Sequence, residues 1–260
     1  MSNFQFELGL LTRLTILSTY RNHISSTIPT EFGNLAQLSE FAVFTNKITG
    51  PIPSQIGRLT KLIILAINEN QITGTIPKEL GNLAQLVSIL AHVNVLTGSL
   101  PSELGLLTLL VNCFLYSNHI TGTIPTVFGN LAQLSMLAVA ANDITGPIPS
   151  QIGSLTKMTF LAINENQLNS TIPTDLGNLA QLLSFFAYGN DLTGSLPSEL
   201  GLLTGLTVIS TYSNHITGPS TSSTPSVSLR GDAESAEVLS SLSANPLWTR
   251  TVALYHPHHP

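Results

Sequence analysis

Apolar residues recur along the chain in a unit of 24 residues. In its clearest copy, residues 62–85 (LIILAINENQITGTIPKELGNLAQ), the repeating apolar positions are 62, 65, 67, 72, 76, 80 and 83. The alternation at Leu65-Ala66-Ile67 predicts a half-buried strand, and the wider spacing after it predicts a chain that turns back along its own core. One copy cannot bury these side chains alone but stacked copies can, so the fixed period predicts a solenoid.

One asparagine occurs at the same position in every copy, with no insertion between copies. In the bend after the strand, a side-chain amide can hydrogen-bond backbone groups that would otherwise be unpaired. We therefore predict a structural ladder, rather than a catalytic or ligand-binding role, for these asparagines. They are Asn22, Asn46, Asn70, Asn94, Asn118, Asn142, Asn166, Asn190 and Asn214.

The second half of the unit is rich in residues typical of turns. Gly74 permits backbone conformations that other residues resist. Pro77 and Glu79 are predicted to open a short helical turn, because proline needs no donor there and an acid suits the helix dipole. Gly81 is predicted to end that turn.

The consensus LxxLxLxxNxLTGxIPxxLGxL resembles the plant-type leucine-rich repeat over residues 8–218. It is clearest in ITGPIPSQIGRL at 48–59, ITGTIPKELGNL at 72–83 and LTGSLPSELGLL at 192–203. The resemblance implies an α/β repeat fold, a right-handed solenoid with a parallel β-sheet on its concave face and short 3₁₀ or helical turns on the convex side. It also implies a second short ladder at the TGxIP segment.

The same resemblance implies the ectodomain of a receptor-like protein or receptor kinase. Such a module would be extracellular or at the cell surface, and would bind a protein, peptide or glycan ligand on its concave sheet without enzymatic activity. The first residues, MSNFQFELGLL, lack the basic start and apolar segment of a signal peptide. A complete chain would therefore be expected in the cytoplasm, and a fragment outside the cell.

The chain is expected to divide into three parts. Residues 1–218 form the solenoid, with no clear N-terminal cap. Residues 219–231 are a linker rich in serine, threonine and proline. Residues 232–260 are a tail, with a short capping helix expected at 232–243 and disorder after it.

Composition excludes several functions. Only 9% of residues are charged and the net charge is −5, which does not favour nucleic acid. No apolar run reaches the length of a membrane span. No phosphate-binding glycine loop, nucleophile motif or metal-ligand spacing appears, so we expect no enzyme, no cofactor and no metal. The lone cysteine, Cys113, occupies a core position of its copy and is expected to be buried. Oligomeric state is left open.

Candidate ligand-binding residues follow from the strand pattern, because side chains two and four positions before each ladder asparagine should line the concave face. Aromatic side chains on an accessible surface are favoured contacts, although they are also common in strands. Glu69 and Glu165, one position before an asparagine, add charge beside them. The predicted partner-binding residues are Tyr20, Phe44, Asn68, Glu69, His92, Phe114, Tyr116, Asn164, Glu165, Phe186, Tyr188 and Tyr212.

Two other features leave alternatives open. Pairs such as Thr73/Thr75, Thr97/Ser99 and Thr121/Thr123 form a Thr-x-Thr ladder that resembles ice-binding surfaces. Asn169-Ser170-Thr171 is a candidate N-glycosylation site. The alternatives to a receptor module are therefore an ice-binding protein and a stand-alone intracellular scaffold for protein–protein interaction.

A longer period of four units is superimposed on the repeat. The segment GPIPSQIGRLTKLIILAINENQ at 50–71 recurs, with few changes, 96 residues later at 146–167. This indicates that a block of four copies was duplicated. A surface residue that occurs twice at that offset can therefore be inherited rather than selected twice.

Overall fold

The computed structural model describes residues 8–218. The predicted linker at 219–231 and the tail at 232–260 lie outside the described residues, as do the first seven residues. The predictions made for those segments therefore remain predictions.

The described residues contain one continuous parallel sheet in which each copy contributes a strand of three residues. Each residue of one strand pairs with the residue 24 positions further on, as Ile64 does with Ser88. The predicted solenoid is confirmed, since strand order follows chain order throughout the sheet. The strands are Ile16–Ser18, Glu40–Ala42, Ile64–Ala66, Ser88–Leu90, Asn112–Phe114, Met136–Ala138, Phe160–Ala162, Ser184–Phe186 and Val208–Ser210.

Short 3₁₀ helices return the chain on the convex side, and each follows a proline. Pro77 has an extended backbone directly before the helix Lys78–Asn82, with Glu79 in its first turn. The helices are Thr30–Asn34, Ser54–Arg58, Lys78–Asn82, Ser102–Leu106, Thr126–Asn130, Ser150–Ser154, Thr174–Asn178 and Ser198–Leu202.

The predicted role of Gly81 is wrong. The helix continues to Asn82, so Gly81 does not end it. A Cβ atom at Gly81 would instead lie 2.5 Å from the carbonyl oxygen of Glu103 in the next copy. Glycine is required here because consecutive 3₁₀ helices lie in backbone contact.

A single apolar core runs through the described solenoid, formed by the repeating leucines and isoleucines and including Cys113, which is buried as predicted. The predicted half-burial of the strand at Leu65 is wrong, because all three residues of Ile64–Ala66 are buried. Leu65 belongs to the main core, whereas Ile64 and Ala66 belong to a second apolar cluster on the opposite face of the sheet.

The ladder asparagines join neighbouring copies. The amide nitrogen of Asn70 donates to the carbonyl oxygens of Val43, Ile67 and Asn68, each at 3.1 Å. Its oxygen accepts a bond from the backbone nitrogen of Ile48 at 3.0 Å. Since Val43 and Ile48 belong to the preceding copy, each such side chain satisfies backbone groups in two copies at once.

A second set of strands forms the flank of the solenoid at the TGxIP segments, the position that the resemblance implied for a second ladder. One sheet contains Thr49–Pro51, Gln71–Thr75, Val95–Ser99 and His119–Thr121. The other contains Thr145–Pro147, Gln167–Thr171, Asp191–Gly194 and His215–Ile216. Hydrogen bonds from the backbone nitrogens of Asp143 and Thr145 continue the pattern between the two sheets.

The register of these flank sheets differs from that of the main sheet. Thr75 pairs with Thr97, which is 22 rather than 24 residues further on. Equivalent side chains in successive copies are therefore offset along the strand by two residues, about 6.6 Å at the usual rise of a parallel strand.

Candidate functional site

The predicted partner-binding residues lie along the face of the main sheet that points away from the main core. We call the positions two residues before each ladder asparagine the concave strip. Neighbouring strip residues lie two positions beyond the ends of adjacent strands, which are about 4.8 Å apart. The strip consists of Tyr20, Phe44, Asn68, His92, Tyr116, Ala140, Asn164, Tyr188 and Tyr212.

Aromatic rings along the strip stack on one another. The ring centroids of Tyr20 and Phe44 are 4.4 Å apart with an interplanar angle of 6°. His92 and Tyr116 are 4.4 Å apart at 14°. Tyr188 and Tyr212 stack in the same way, at 4.5 Å and 6°. The spacing of parallel strands is close to that of stacked rings, so rings that follow adjacent strands cover each other's faces.

This stacking leaves much less accessible surface than the sequence suggested. Tyr20 is 46% exposed, but Tyr116 is 8% and Tyr188 is 7% exposed. Phe114 and Phe186, which lie beside the strip, are also buried. Of the predicted residues, Tyr20 and Glu165 are exposed and Phe44, Glu69 and Tyr212 are half-buried. The concave face is thus a covered apolar layer with limited access.

Sequence reasoning missed part of this layer. Ile64 and Phe160 lie six residues before a ladder asparagine and belong to the same apolar cluster as the aromatic residues of the strip. Alanines at Ala66, Ala138 and Ala162 form its base and are fully covered. Period-two alternation places positions six, four and two before the asparagine on one face, and extending it by one step would have identified Ile64 and Phe160.

Three polar side chains are buried in the strip without their full set of hydrogen bonds. Asn68, His92 and Asn164 are 3%, 1% and 0% exposed. Among the described residues, the buried side-chain atoms lacking a partner are Oδ1 of Asn68, both ring nitrogens of His92 and both amide atoms of Asn164. Such atoms are costly to bury without a hydrogen-bond partner.

Burial keeps the side chains of His92 and Tyr116 in their neutral forms. Burial lowers the pKa of His92 to about 3, so the imidazole is uncharged at neutral pH. Burial, with a smaller effect from the negative charge of Glu69, raises the pKa of the Tyr116 hydroxyl far above its usual value. The hydroxyl therefore stays protonated.

Glu69 is held at the margin of the strip, next to these buried groups. The hydroxyl of Thr45 donates to its Oε2 atom at 2.8 Å. The amide nitrogen of Asn68 approaches its Oε1 atom at 3.5 Å. Glu165, the equivalent residue 96 positions later, is exposed instead, and Ala141 replaces the threonine there.

The flank sheets present a separate surface of exposed hydroxyl groups. Cross-strand neighbours here include Thr75 with Thr97, Ser99 with Thr121, and Thr171 with Thr193. Two positions interrupt the pattern, where Pro51 pairs with Thr73 and Pro147 pairs with Asn169. Asn169, the candidate glycosylation site, is exposed on the strand Gln167–Thr171.

Over residues 8–218, no group of three or more histidine, cysteine or acidic side chains is placed to hold a metal ion. The same range contains no helix long and apolar enough to cross a membrane.

Comparisons with known proteins agree with this geometry. A family model described as Leucine Rich Repeat matches residues 61–83. A comparison with curated proteins found no match. Among solved structures, a TDR receptor is 33% identical with a TM-score of 0.77, over 80% of this chain and 36% of the receptor. The Arabidopsis receptor kinase HAESA, solved with the peptide hormone IDA and a co-receptor, is 28% identical with a TM-score of 0.77, over 79% of this chain and 35% of that one.

A plant ice-binding protein has a similar structure. It is 25% identical with a TM-score of 0.72, and the match covers 82% of this chain and 68% of the ice-binding protein. The repeat motif and the stacked parallel sheets define the class to which the chain belongs, that of leucine-rich-repeat solenoids. Plant receptors are among the solved structures that resemble this leucine-rich-repeat chain, and the chain spans about a third of the length of the two receptors named above.

Proposed function

We propose that residues 8–218 form the recognition module of a receptor-like signalling protein and bind a peptide or protein segment on the concave strip. The observation that carries the proposal is the set of buried polar atoms without partners along an otherwise apolar strip. A peptide supplies both donors and acceptors to such groups, and extended main chain can lie across successive strands. The similarity to HAESA, solved in complex with a peptide hormone, supports a peptide as the class of ligand.

The proposed mechanism is recognition by a pre-formed surface, without enzymatic chemistry. The sheet and its ladder are fixed before binding, so little ordering entropy is lost when a ligand binds. Only side chains such as Tyr116 and Tyr188 need to move. Because the proposed function is that of a receptor, we also propose a location outside the cell or at its surface.

Selection of ligands from a randomised peptide display library would test the proposal. Peptides that bind the wild-type chain should lose affinity for a Tyr116→Ala and Tyr188→Ala double variant. The matched control is a Thr97→Ala and Thr121→Ala double variant, which changes only the flank surface and should bind normally. A Tyr20→Ala variant, at an exposed end of the strip, provides a second test that does not open the buried layer.

Melting temperatures would separate loss of binding from loss of fold. Peptides that bind the concave variants as well as wild type, but fail to bind the flank variant, would contradict the proposal. A failure to select any peptide or protein ligand would also count against it.

A second candidate function, ice binding, is favoured by the flank surface. Its exposed threonines and serines lie side by side across adjacent strands, and a plant ice-binding protein has a similar structure. Thermal hysteresis that disappears in a Thr97→Tyr or Thr121→Tyr variant, and persists in Tyr20→Ala, would support this function. Absence of hysteresis in the wild-type chain would exclude it.

A further inference from the structure

We propose that the concave strip contains a binding site for a guanidinium group, formed by Thr45, Asn68, Glu69, His92 and Tyr116. We call these residues the Glu69 cluster. The proposal rests on the peptide-binding function proposed above and names the chemistry that one position of the ligand must carry. An arginine side chain of a peptide or protein supplies such a group.

The polar atoms of the cluster match the donors of a guanidinium. This group has five N–H donors in a plane and no acceptor. Glu69 offers a carboxylate whose two oxygens are engaged only by Thr45 at 2.8 Å and weakly by Asn68 at 3.5 Å. Asn68 adds the unpartnered Oδ1 atom, and neutral His92 adds an unpartnered acceptor nitrogen. A cation here would satisfy atoms that the free protein leaves unpaired.

The rings of the cluster suit the flat shape of the same group. His92 and Tyr116 stack at 4.4 Å, and the ring of Phe114 lies 6.2 Å from that of His92 in an edge arrangement. A guanidinium stacks on aromatic faces and is weakly hydrated, whereas an ammonium is a compact and strongly hydrated charge. The geometry therefore favours arginine over lysine.

Access requires a movement of Tyr116. Its ring covers one face of His92, and His92 itself is almost completely buried. Glu69 is half-buried at the margin of the strip, so the cation can first pair with the carboxylate. Rotation of the Tyr116 side chain would then open the face of His92 and let the guanidinium stack between the His92 and Tyr116 rings.

The duplicated block provides an internal comparison, because it keeps the motif but not the cluster. Asn164 and Glu165 occur in the same AINEN sequence as Asn68 and Glu69. However, Tyr188 stands where the first block has His92, and Ala141 stands where it has Thr45. Glu165 is exposed, with no hydroxyl in that position to hold it. The site is therefore specific to the first block.

Titration calorimetry on the full 260-residue chain would test the assignment with three probes of nearly equal size. These are the N-acetyl amides of arginine, lysine and citrulline, of which citrulline keeps the shape of arginine without its charge. We expect the arginine probe to bind about tenfold more tightly than the others, as paired and stacked guanidinium groups usually do. Equal affinity for the three probes would overturn the proposal.

Variants would locate the binding. Glu69→Gln should weaken the arginine probe about tenfold, because it removes the charge that pairs with the cation. His92→Phe keeps a flat ring but removes the nitrogens, and should weaken binding of the probe without lowering the melting temperature. Glu165→Gln should have a smaller effect than Glu69→Gln, and Glu79→Gln on the convex side should have none. Equal losses from Glu69→Gln and Glu165→Gln would contradict the assignment to this cluster.

The test distinguishes failure of this site from failure of the proposed function. If selected peptides bind the concave strip but contain no arginine and tolerate Glu69→Gln, the guanidinium site is wrong and the function stands. If the arginine probe binds as expected but no peptide is selected, the site stands and peptide recognition fails.

Discussion

The residue directly before each ladder asparagine lies in the left-handed region of backbone conformation. Its φ is 53° at Thr45, 54° at Glu69 and 54° at Val93, and glycine is used only in the copy that contains Gly189, where φ is 63°. Left-handed conformations are unfavourable for residues with a Cβ atom and most unfavourable for β-branched ones. The amino acids at this position vary from copy to copy, so the strain could not be predicted from the sequence.

Replacing Val93 by glycine should therefore stabilise the protein. Relief of the strained valine is expected to raise the free energy of unfolding by about 1 kcal/mol, a gain of about 2–4 °C in melting temperature. The matched control is Val95→Gly, two residues later. Both valines are similarly exposed, at 43% and 40%, but Val95 lies in a regular strand. The control should lower stability, and a stabilising effect of both changes would contradict this explanation.

The buried imidazole of His92 makes stability depend on pH. Its pKa is lowered to about 3 in the folded chain, and that of an ordinary histidine is about 6.5. Between these values the unfolded chain binds a proton that the folded chain does not. Stability contributed by the neutral ring is thus complete above the unfolded pKa and falls as the pH decreases toward about 3.

Comparison with His92→Phe would isolate this effect. Between about pH 7 and about pH 5, the wild-type chain should lose about 2 kcal/mol more stability than the variant. Urea unfolding at both values measures the difference, and the variant corrects for all other titrating groups. Parallel loss in the two proteins would show that His92 can accept a proton without unfolding.

At the scale of the repeated elements, each buried ladder asparagine joins two copies through several hydrogen bonds of one side chain. Asn118 donates to Ala91 and Leu115 and accepts from the backbone nitrogen of Leu96. Removing the amide would leave buried backbone groups of two copies unpaired. At the first ladder position, Asn22 bonds Thr19 and Tyr20 of its own copy and is exposed.

Alanine substitution at these two positions should have very different effects. Asn118→Ala is expected to reduce the free energy of unfolding by about 3 kcal/mol or more, since several buried groups lose their partners. Asn22→Ala should cost no more than about 1 kcal/mol, because water can replace its bonds. Chemical denaturation of both variants measures the contrast, and similar losses would show that the bonds between copies are not the source of stability.

The elements themselves could be predicted, because strand, bend and helical turn follow from the order of residues within one unit. The phase of Leu65 and Ile67, the position of Asn70 and the turn after Pro77 are local features. Burial of Tyr116 and Tyr188 could not be predicted in this way. It depends on the distance between copies and on which ring the next copy contributes. The role of Gly81 depends in the same way on the backbone of the next copy.

At the scale of the whole solenoid, the two long surfaces differ in character from what the sequence suggested. The concave strip was expected to be open and is mostly covered, with Tyr20 exposed and Phe44 and Tyr212 half-buried. The flank was expected to present aligned Thr-x-Thr pairs, and the register of 22 residues offsets them between copies. Both differences arise from how copies stack, which a single unit does not encode.

Glycosylation at Asn169 would affect the flank surface and not the concave strip. Asn169 and Thr171 are both exposed on the flank strand Gln167–Thr171, so the chain should be modified there when directed through a eukaryotic secretory pathway. Mass spectrometry before and after glycosidase treatment measures the modification, with Asn169→Gln as control. An attached glycan would cover the second flank sheet, whereas the concave strip would remain free. An unmodified secreted chain would contradict this expectation.

The offset of 96 residues between the two blocks has a consequence for how the protein can change in evolution. Repeats contact only their neighbours, and the segments 50–71 and 146–167 are nearly identical. Unequal recombination between the two coding segments would add or remove four whole copies and leave every junction in register. The overall length is thus easily varied, but the composition of a binding site formed across several strands is not preserved. Excision of one block would place Asn68 beside Tyr188 in place of His92, so a single genetic event would change the composition of the concave strip.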